Sequence, residues 1–262
     1  MTAFTDAELY LRGAETLIAS WEEYARGAAG ALVRRDPGVV IAVFPDGPER
    51  GVYNNAFLAR DLVAAERSEA LDSMEGAYAA AGITRFAAWV HESEGAMRSE
   101  LEKRGYTLEE STRAMGMALD DVRRPEPEIE LTPAVWSDYL RFLDAFGLPS
   151  GLLAGTDPTA FHVLVARVAG ENVAAAIAFD TYGDCGIYNV GTLEHARRRG
   201  LGTALTALHV HQARLRGCRT ATLQSTEMAE RLYAGVGFRN LGQILEYVPR
   251  LAPRFASQRR CG

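Results

Sequence analysis

Between Phe161 and Ser225 the apolar positions change their period twice. Phe161 to Arg167 and Val173 to Thr181 are apolar, β-branched runs parted by Ala169-Gly170-Glu171-Asn172, which predicts a hairpin of buried strands. Gly186 to Thr192 adds a third strand. Leucines at 201, 205, 208 and 215 then return at near-helical spacing, with Gly217 placed as a C-terminal cap. A strand over Cys218 to Ser225, a short helix over Glu227 to Ala234, Gly237-Phe238 and a final strand around Gln243 to Val248 complete the order hairpin, β, α, β, α, β. Earlier in the chain the same reading predicts helices near Asp6 to Arg26 and Leu58 to Ala81. Strands are predicted there near Val39 to Phe44, Gly51 to Phe57, Ile83 to Val90 and Ala114 to Leu119.

These two series of elements are separated by Asp120 to Glu130, DDVRRPEPEIE, where Pro125 and Pro127 sit among charges. Proline removes a backbone donor and disfavours helix before it, so the stretch reads as a linker. The expected division is residues 1–122, a linker at 123–130, and residues 131–262. An internal repeat relates the parts. Gly51-Val-Tyr-Asn-Asn-Ala-Phe-Leu58 matches Gly186-Ile-Tyr-Asn-Val-Gly-Thr-Leu193 at an offset of 135 residues. The following glycines, Gly82 and Gly217, keep that offset, and Gly105 falls on Gly237 at 132. Against chance similarity of two short α/β stretches, three landmarks in constant order favour a duplicated fold.

Composition narrows the function classes. With 48% hydrophobic and 24% charged residues, the 262-residue chain can bury a core. A net charge of -6 gives no basic field for a nucleic-acid backbone, so no nucleic-acid partner is expected. Nor is a membrane expected, since no run approaches the roughly 20 apolar residues of a span. Cys185, Cys218 and Cys261 are widely spaced with no CxxC pair, and Asp6 and Glu8 stand where a signal peptide would be basic and then apolar; a cytoplasmic protein is expected. His209 and His211 lie two apart on a predicted helix and point away from each other, and no metal site is expected.

The chemistry concentrates just after the strand GIYNVGTL, where Arg197-Arg198-Arg199-Gly200-Leu201-Gly202-Thr203-Ala204 opens the long helix. Glycines let a ligand approach the backbone, the first helical turn presents unpaired N–H groups, and guanidinium groups bind phosphate oxygens bidentately. A pyrophosphate suits such a cradle, although a glycine pair at a helix start can also be only a tight turn.

The pattern Arg197-x-x-Gly200-x-Gly202, followed by Ala229-x-x-Leu-Tyr233-x-x-x-Gly237-Phe238, resembles the GNAT superfamily of acyl-CoA-dependent N-acyltransferases over roughly Thr132 to Val248. The resemblance implies an α/β (α+β) fold of two GNAT-like domains, each a mixed, largely antiparallel sheet flanked by helices. In the second, a splayed strand pair, Ile187 to Thr192 and Cys218 to Ser225, would hold coenzyme A. It also implies acetyl-CoA as cosubstrate, with Val190, Gly191 and Thr192 along the pantetheine arm. Arg197, Arg198, Arg199, Gly200, Leu201, Gly202 and Thr203 would lie on the pyrophosphate, Thr226 and Ala229 nearby, and Tyr233 would be the acid that protonates the departing thiolate. Thr226 stands where the family often has Asn, and Glu194 where Pro is usual. The reaction implied is direct attack of an amine on the acetyl carbonyl in a ternary complex, the oxyanion taking an N–H near Val190 or Gly191.

The strand from Cys185 to Thr192 offers no base, which leaves His162, His91 or a water relay. The acceptor is a small-molecule or protein amine, and the assembly a monomer or homodimer. The alternative is a catalytically silent acyl-CoA sensor. In the first part, Leu62, Ala65 and Arg67, or Ala65, Ser68 and Ala70, fall on the Arg-Gly-Gly positions, and Leu101 on Tyr233. That part is expected to keep the fold without a phosphate loop.

Overall fold

A computed structural model describes residues 4–46, 53–120, 130–148 and 150–250. Gly51, most of the expected linker and Cys261 lie outside the described residues. The chain begins with a 22-residue helix, α1 (Asp6–Gly27), started by a reciprocal cap: Thr5 Oγ1 accepts from the Glu8 N–H, and Glu8 accepts from the Thr5 N–H. Next come β1 (Leu32–Asp36), β2 (Val39–Val43), β3 (Asn55–Leu58), α2 (Ala64–Ala80), β4 (Ala87–His91), α3 (Gly95–Lys103) and β5 (Tyr106–Ala118). The second series is β6 (Leu131–Pro133), α4 (Trp136–Phe146), β7 (Phe161–Val168), β8 (Glu171–Thr181), β9 (Asp184–Thr192), α5 (Leu201–Leu215), β10 (Thr220–Ser225), α6 (Glu230–Val236) and β11 (Arg239–Pro249).

All described strands form one sheet in the order β1-β2-β3-β4-β11-β5-β10-β9-β8-β7-β6. Only β3–β4 and β9–β10 are parallel, so the sheet is mixed and largely antiparallel, as expected. The last strand of each series crosses over. β11 inserts between β4 and β5, while β5 pairs with β10. The central β11–β5 ladder is antiparallel, and outward from it the two series repeat the same connections in opposite directions.

Period-2 alternation divides the core into two layers. On one face, α1 and α4 cover Ala42, Phe57, Trp89, Val163, Ile177 and Ile244. On the other, α2 and α3 cover Ile41, Leu58, Val90 and Leu245, and α5 and α6 cover Leu164, Ala174, Leu223 and Phe238. Helix α1 crosses strands of both series. It approaches so closely that a Cβ at Gly13 would lie 3.0 Å from Thr222 Cβ, and a buried carboxylate secures the crossing. Asp184 accepts from Thr16 on α1 (2.8 Å) and from Thr220 (2.5 Å) and Thr222 (2.7 Å) on β10.

Several boundaries differ from the sequence reading. The helix expected from Leu58 begins at Ala64, because Leu58 completes β3 in the core. The strand expected at Ala114 to Leu119 begins at Tyr106; the residues after it, Thr107 to Glu110, are all exposed and give no alternation. The expected helix Glu227 to Ala234 is a 3₁₀ turn at Glu227–Ala229 followed by α6. The edge strand β1, with Arg34 and Arg35, and helix α3 carry too little continuous apolar pattern to stand out, whereas α4, also missed, shows Trp136, Tyr139, Leu140, Leu143 and Phe146 at helical spacing.

Replacing Asp184 with Ala would leave three hydroxyls under the helix without their acceptor. A loss of about 3 kcal/mol in unfolding free energy by urea titration is expected, since each orphaned buried polar group costs about 1–3 kcal/mol. An unchanged midpoint would show that Asp184 does not hold α1 to the sheet.

Candidate active site

The parallel ladder of β9 and β10 runs from Asp184↔Thr220 to Ile187↔Leu223 and stops there, although β9 continues to Thr192 and β10 to Ser225. Divergence begins at a bulge. In the β8–β9 ladder Tyr188 faces Ile177 and Gly191 faces Ala175, so Asn189 and Val190 together oppose Ala176. Asn189 takes φ 52°, a left-handed conformation that Asn tolerates better than most residues, and its amide donates to the Tyr139 hydroxyl at 2.9 Å.

After β9 the chain enters the arginine loop. Arg197 Nε donates to the Thr192 carbonyl at 3.3 Å, and Arg198 and Gly200 take positive φ of 62° and 73°. Gly200 is the N-cap of α5, and no side chain caps that helix. The first backbone bond closing the helix is from Ala204 N–H to the Gly200 carbonyl, so the amides of Leu201, Gly202 and Thr203 precede the intrahelical ladder. Nothing stands within 4 Å of where a Gly200 Cβ would be, and Arg197, Arg198 and Arg199 are all exposed. This open, positive and uncapped helix start suits a phosphate group.

The two sequence motifs meet here. A Cβ on Gly202 would lie 3.2 Å from Leu232 on α6 and 3.7 Å from Val190 on β9. The next residue, Tyr233, is buried with its ring edge-on to Phe238 at 6.3 Å, and burial pushes its phenol up to about 12. It therefore keeps its proton throughout the neutral range. Gly191 packs under Phe142 and Phe146; Thr226, whose carbonyl accepts from Ser225 Oγ and the Ala229 N–H, begins the 3₁₀ turn.

Tyr188, Asn189, Gln224 and Thr226 also line a cleft of ≈ 360 Å³ on the α1 face, where β9 and β10 diverge. Its other walls include Trp21 and Tyr24 from α1, Tyr53, Trp89 on β4, Glu110 and Thr112 on β5, and Glu246 on β11. None of these last seven was singled out from the sequence. The signal lay in the repeat, which puts Tyr53 opposite Tyr188. Neither histidine weighed as a base lines this cleft. His91 is held by Ser93 and the Leu241 carbonyl, and His162 lies 3.5 Å from Asp180.

In the first series, the helix start equivalent to the arginine loop carries no glycine. The carboxylate of Glu66 accepts from the Val63 N–H at 2.9 Å at the start of α2, and Arg67 is turned back onto the Leu62 carbonyl. The β3–β4 pairing runs to Phe57↔Trp89, one residue short of the end of β3.

Residues 159–240 match the family model of the acetyltransferase (GNAT) domain. The fold is shared along nearly the whole chain with solved structures. A GCN5-related N-acetyltransferase from Kribbella flavida is 20% identical with a TM-score of 0.71, the match covering 92% of this chain and 96% of that one. A GCN5-related N-acetyltransferase from Sphaerobacter thermophilus is 18% identical with a TM-score of 0.54, covering 94% and 93%. A functionally unknown conserved protein from Staphylococcus epidermidis is 14% identical with a TM-score of 0.60, covering 83% and 93%. No curated protein matches the sequence. Among the described residues no helix is long and apolar enough to cross a membrane, and no group of three or more His, Cys, Asp or Glu is placed to hold a metal ion.

Proposed function

We propose that the protein is an N-acetyltransferase that moves the acetyl group of acetyl-CoA to an amine, with its cosubstrate site in the second half of the chain. The observation that carries this reading is the end of β9–β10 pairing at Ile187↔Leu223 beside an uncapped helix start rich in Arg and Gly. The unpaired edge of Val190, Gly191 and Thr192 is suited to receive the amide-bearing pantetheine arm as an added strand. Arg197 to Thr203 are suited to the pyrophosphate, with Thr226 and Ala229 at the opposite lip.

The amine, freed of its extra proton, bonds through nitrogen to the acetyl carbonyl carbon and gives up an N–H proton to a water relay, the carbon–sulfur bond breaks, and the leaving thiolate takes a proton. A backbone N–H near Val190 or Gly191 stabilises the oxyanion, and Tyr233 supplies the thiolate's proton. Residues 1–122 are read as a GNAT-like half that has lost its own phosphate loop, 123–130 as the linker, and 131–262 as the competent half. The absence of glycine from the start of α2 supports this asymmetry.

Titration with acetyl-CoA is expected to give one site per chain; two equivalent sites would overturn the reading of the first half. Replacing Arg198 and Arg199 together with Ala should raise the acetyl-CoA Kd about tenfold or more, the scale of losing one or two charge-assisted contacts. An unchanged Kd would remove the loop from the binding site. Tyr233→Phe should lower kcat at least tenfold while the acetyl-CoA Kd stays within about twofold, in line with general acid catalysis contributing 10²–10⁴-fold. Full turnover in this variant would remove Tyr233 as the acid. Binding of acetyl-CoA with no transfer to any amine by the unmodified protein would instead support a silent acyl-CoA sensor.

A further inference from the structure

Helix α4 meets β9 along the stretch that has left β10. Tyr139, Phe142 and Phe146 recur at helical spacing on one side of α4, and each touches that stretch. The Tyr139 hydroxyl accepts from the Asn189 amide at 2.9 Å, and a Cβ on Gly191 would lie 3.2 Å from both Phe142 and Phe146. Glycine is what lets the edge pass beneath the two rings. Tyr139 itself is fully buried, with its ring 5.1 Å from that of Trp136, and burial raises its phenol, so the hydroxyl keeps its proton.

The repeat shows how differently the same asparagine is used in the two series. Asn54, 135 residues before Asn189, binds the backbone of Phe44 just beyond β2: its Oδ1 accepts from the N–H at 2.8 Å and its Nδ2 donates to the carbonyl at 3.3 Å. Asn54 is therefore tied to the neighbouring strand of its own sheet. Asn189 instead reaches out of the sheet, and among the described residues its one side-chain hydrogen bond is to Tyr139. From the other face, Nε2 of buried His209 on α5 lies 3.2 Å from the carbonyl of Ala176, the residue opposite the bulge. Burial pushes that imidazole down to about 3, so it is neutral and donates through Nε2. His209 thus holds the β8 side of the bulge, and Tyr139 holds Asn189.

We infer that Tyr139 is a positioning residue for the cosubstrate: acting through Asn189, it fixes the backbone of Val190 and Gly191 where the pantetheine arm is received. The inference rests on the acetyl-transfer reading for the presence of that arm. Without the hydroxyl, Asn189 keeps its φ of 52° with no side-chain bond, in a conformation that asparagine tolerates but does not prefer. The freed edge then takes other directions, and a strand added to it loses its register. The arginine loop is tied down separately, by Arg197 to the Thr192 carbonyl. A change at Tyr139 therefore acts on the arm and spares the phosphates.

The test is calorimetric titration with coenzyme A, which carries the arm, and with 3′-phosphoadenosine 5′-diphosphate, the same nucleotide without it. Tyr139→Phe and Asn189→Gly are each expected to raise the coenzyme A Kd about fivefold or more, the scale of one lost hydrogen bond, while the nucleotide Kd stays within about twofold. The double variant should lose no more than about twofold beyond the more affected single variant, because the two residues act as one unit. A merely structural role would weaken both ligands together. An unchanged coenzyme A Kd in Tyr139→Phe, equal losses for both ligands, or losses that multiply in the double variant would each overturn the inference and leave the acetyl-transfer reading standing. Where the nucleotide binds too weakly to follow, the coupling between the two variants decides alone. An unmodified protein that binds neither ligand would overturn both.

Discussion

The insertion of β11 between β4 and β5 governs the rest of the architecture. Each series of elements ends in a strand that hydrogen-bonds to both series, because β11 pairs with β4 and β5, and β5 pairs with β11 and β10. Neither half can complete its sheet alone. The central ladder fixes the two series against each other residue by residue. Helix α1 reinforces the arrangement through Asp184 and through apolar contacts to strands of both series. Residues distant in sequence, such as Trp21, Glu110 and Glu246, are thereby placed around one cleft.

Near-symmetry about that ladder makes the differences between the halves informative. At the first α/β junction, the start of α2 has no glycine, and β3 stays paired almost to its end. At the second, no side chain caps α5, three arginines are exposed, and β9 runs on beyond its last partner on β10. Backbone groups left without partners are expensive when buried, so a strand that leaves its neighbour early needs solvent or another partner along the freed edge. The bulge at Asn189 and Val190 is the local means of turning that edge away, and it requires a residue that tolerates positive φ.

Much of this was legible in the sequence because it depends on local rules. Buried strands from Phe161 to Thr181 read as continuous apolar runs, α5 showed its leucine period, and the Arg-Gly-Gly string marked an uncapped helix start. The 135-residue repeat anticipated two matching series of elements. The crossover of β11 was not legible, because strand exchange leaves local periodicity unchanged. The cleft was hidden for a related reason: Glu110 lies in a polar stretch of β5 that looks like loop, and Glu246 interrupts an otherwise ordinary final strand. Trp21 and Trp89 are indistinguishable from core aromatics until the register sets Trp89 beside Glu246.

The same geometry shows why the absence of a basic residue on β9 does not by itself argue against chemistry at the divergence. A base need not lie on β9 if the opposite wall of the cleft comes from elsewhere in the chain. Here that wall contains strands β4, β11 and β5, and it brings two carboxylates to the cleft that also holds Tyr188, Asn189 and Thr226. The first series of elements thus contributes to this cleft as well. It supplies Tyr53, Trp89 and Glu110 to a shared cleft, and the strand exchange keeps those residues in register with Glu246.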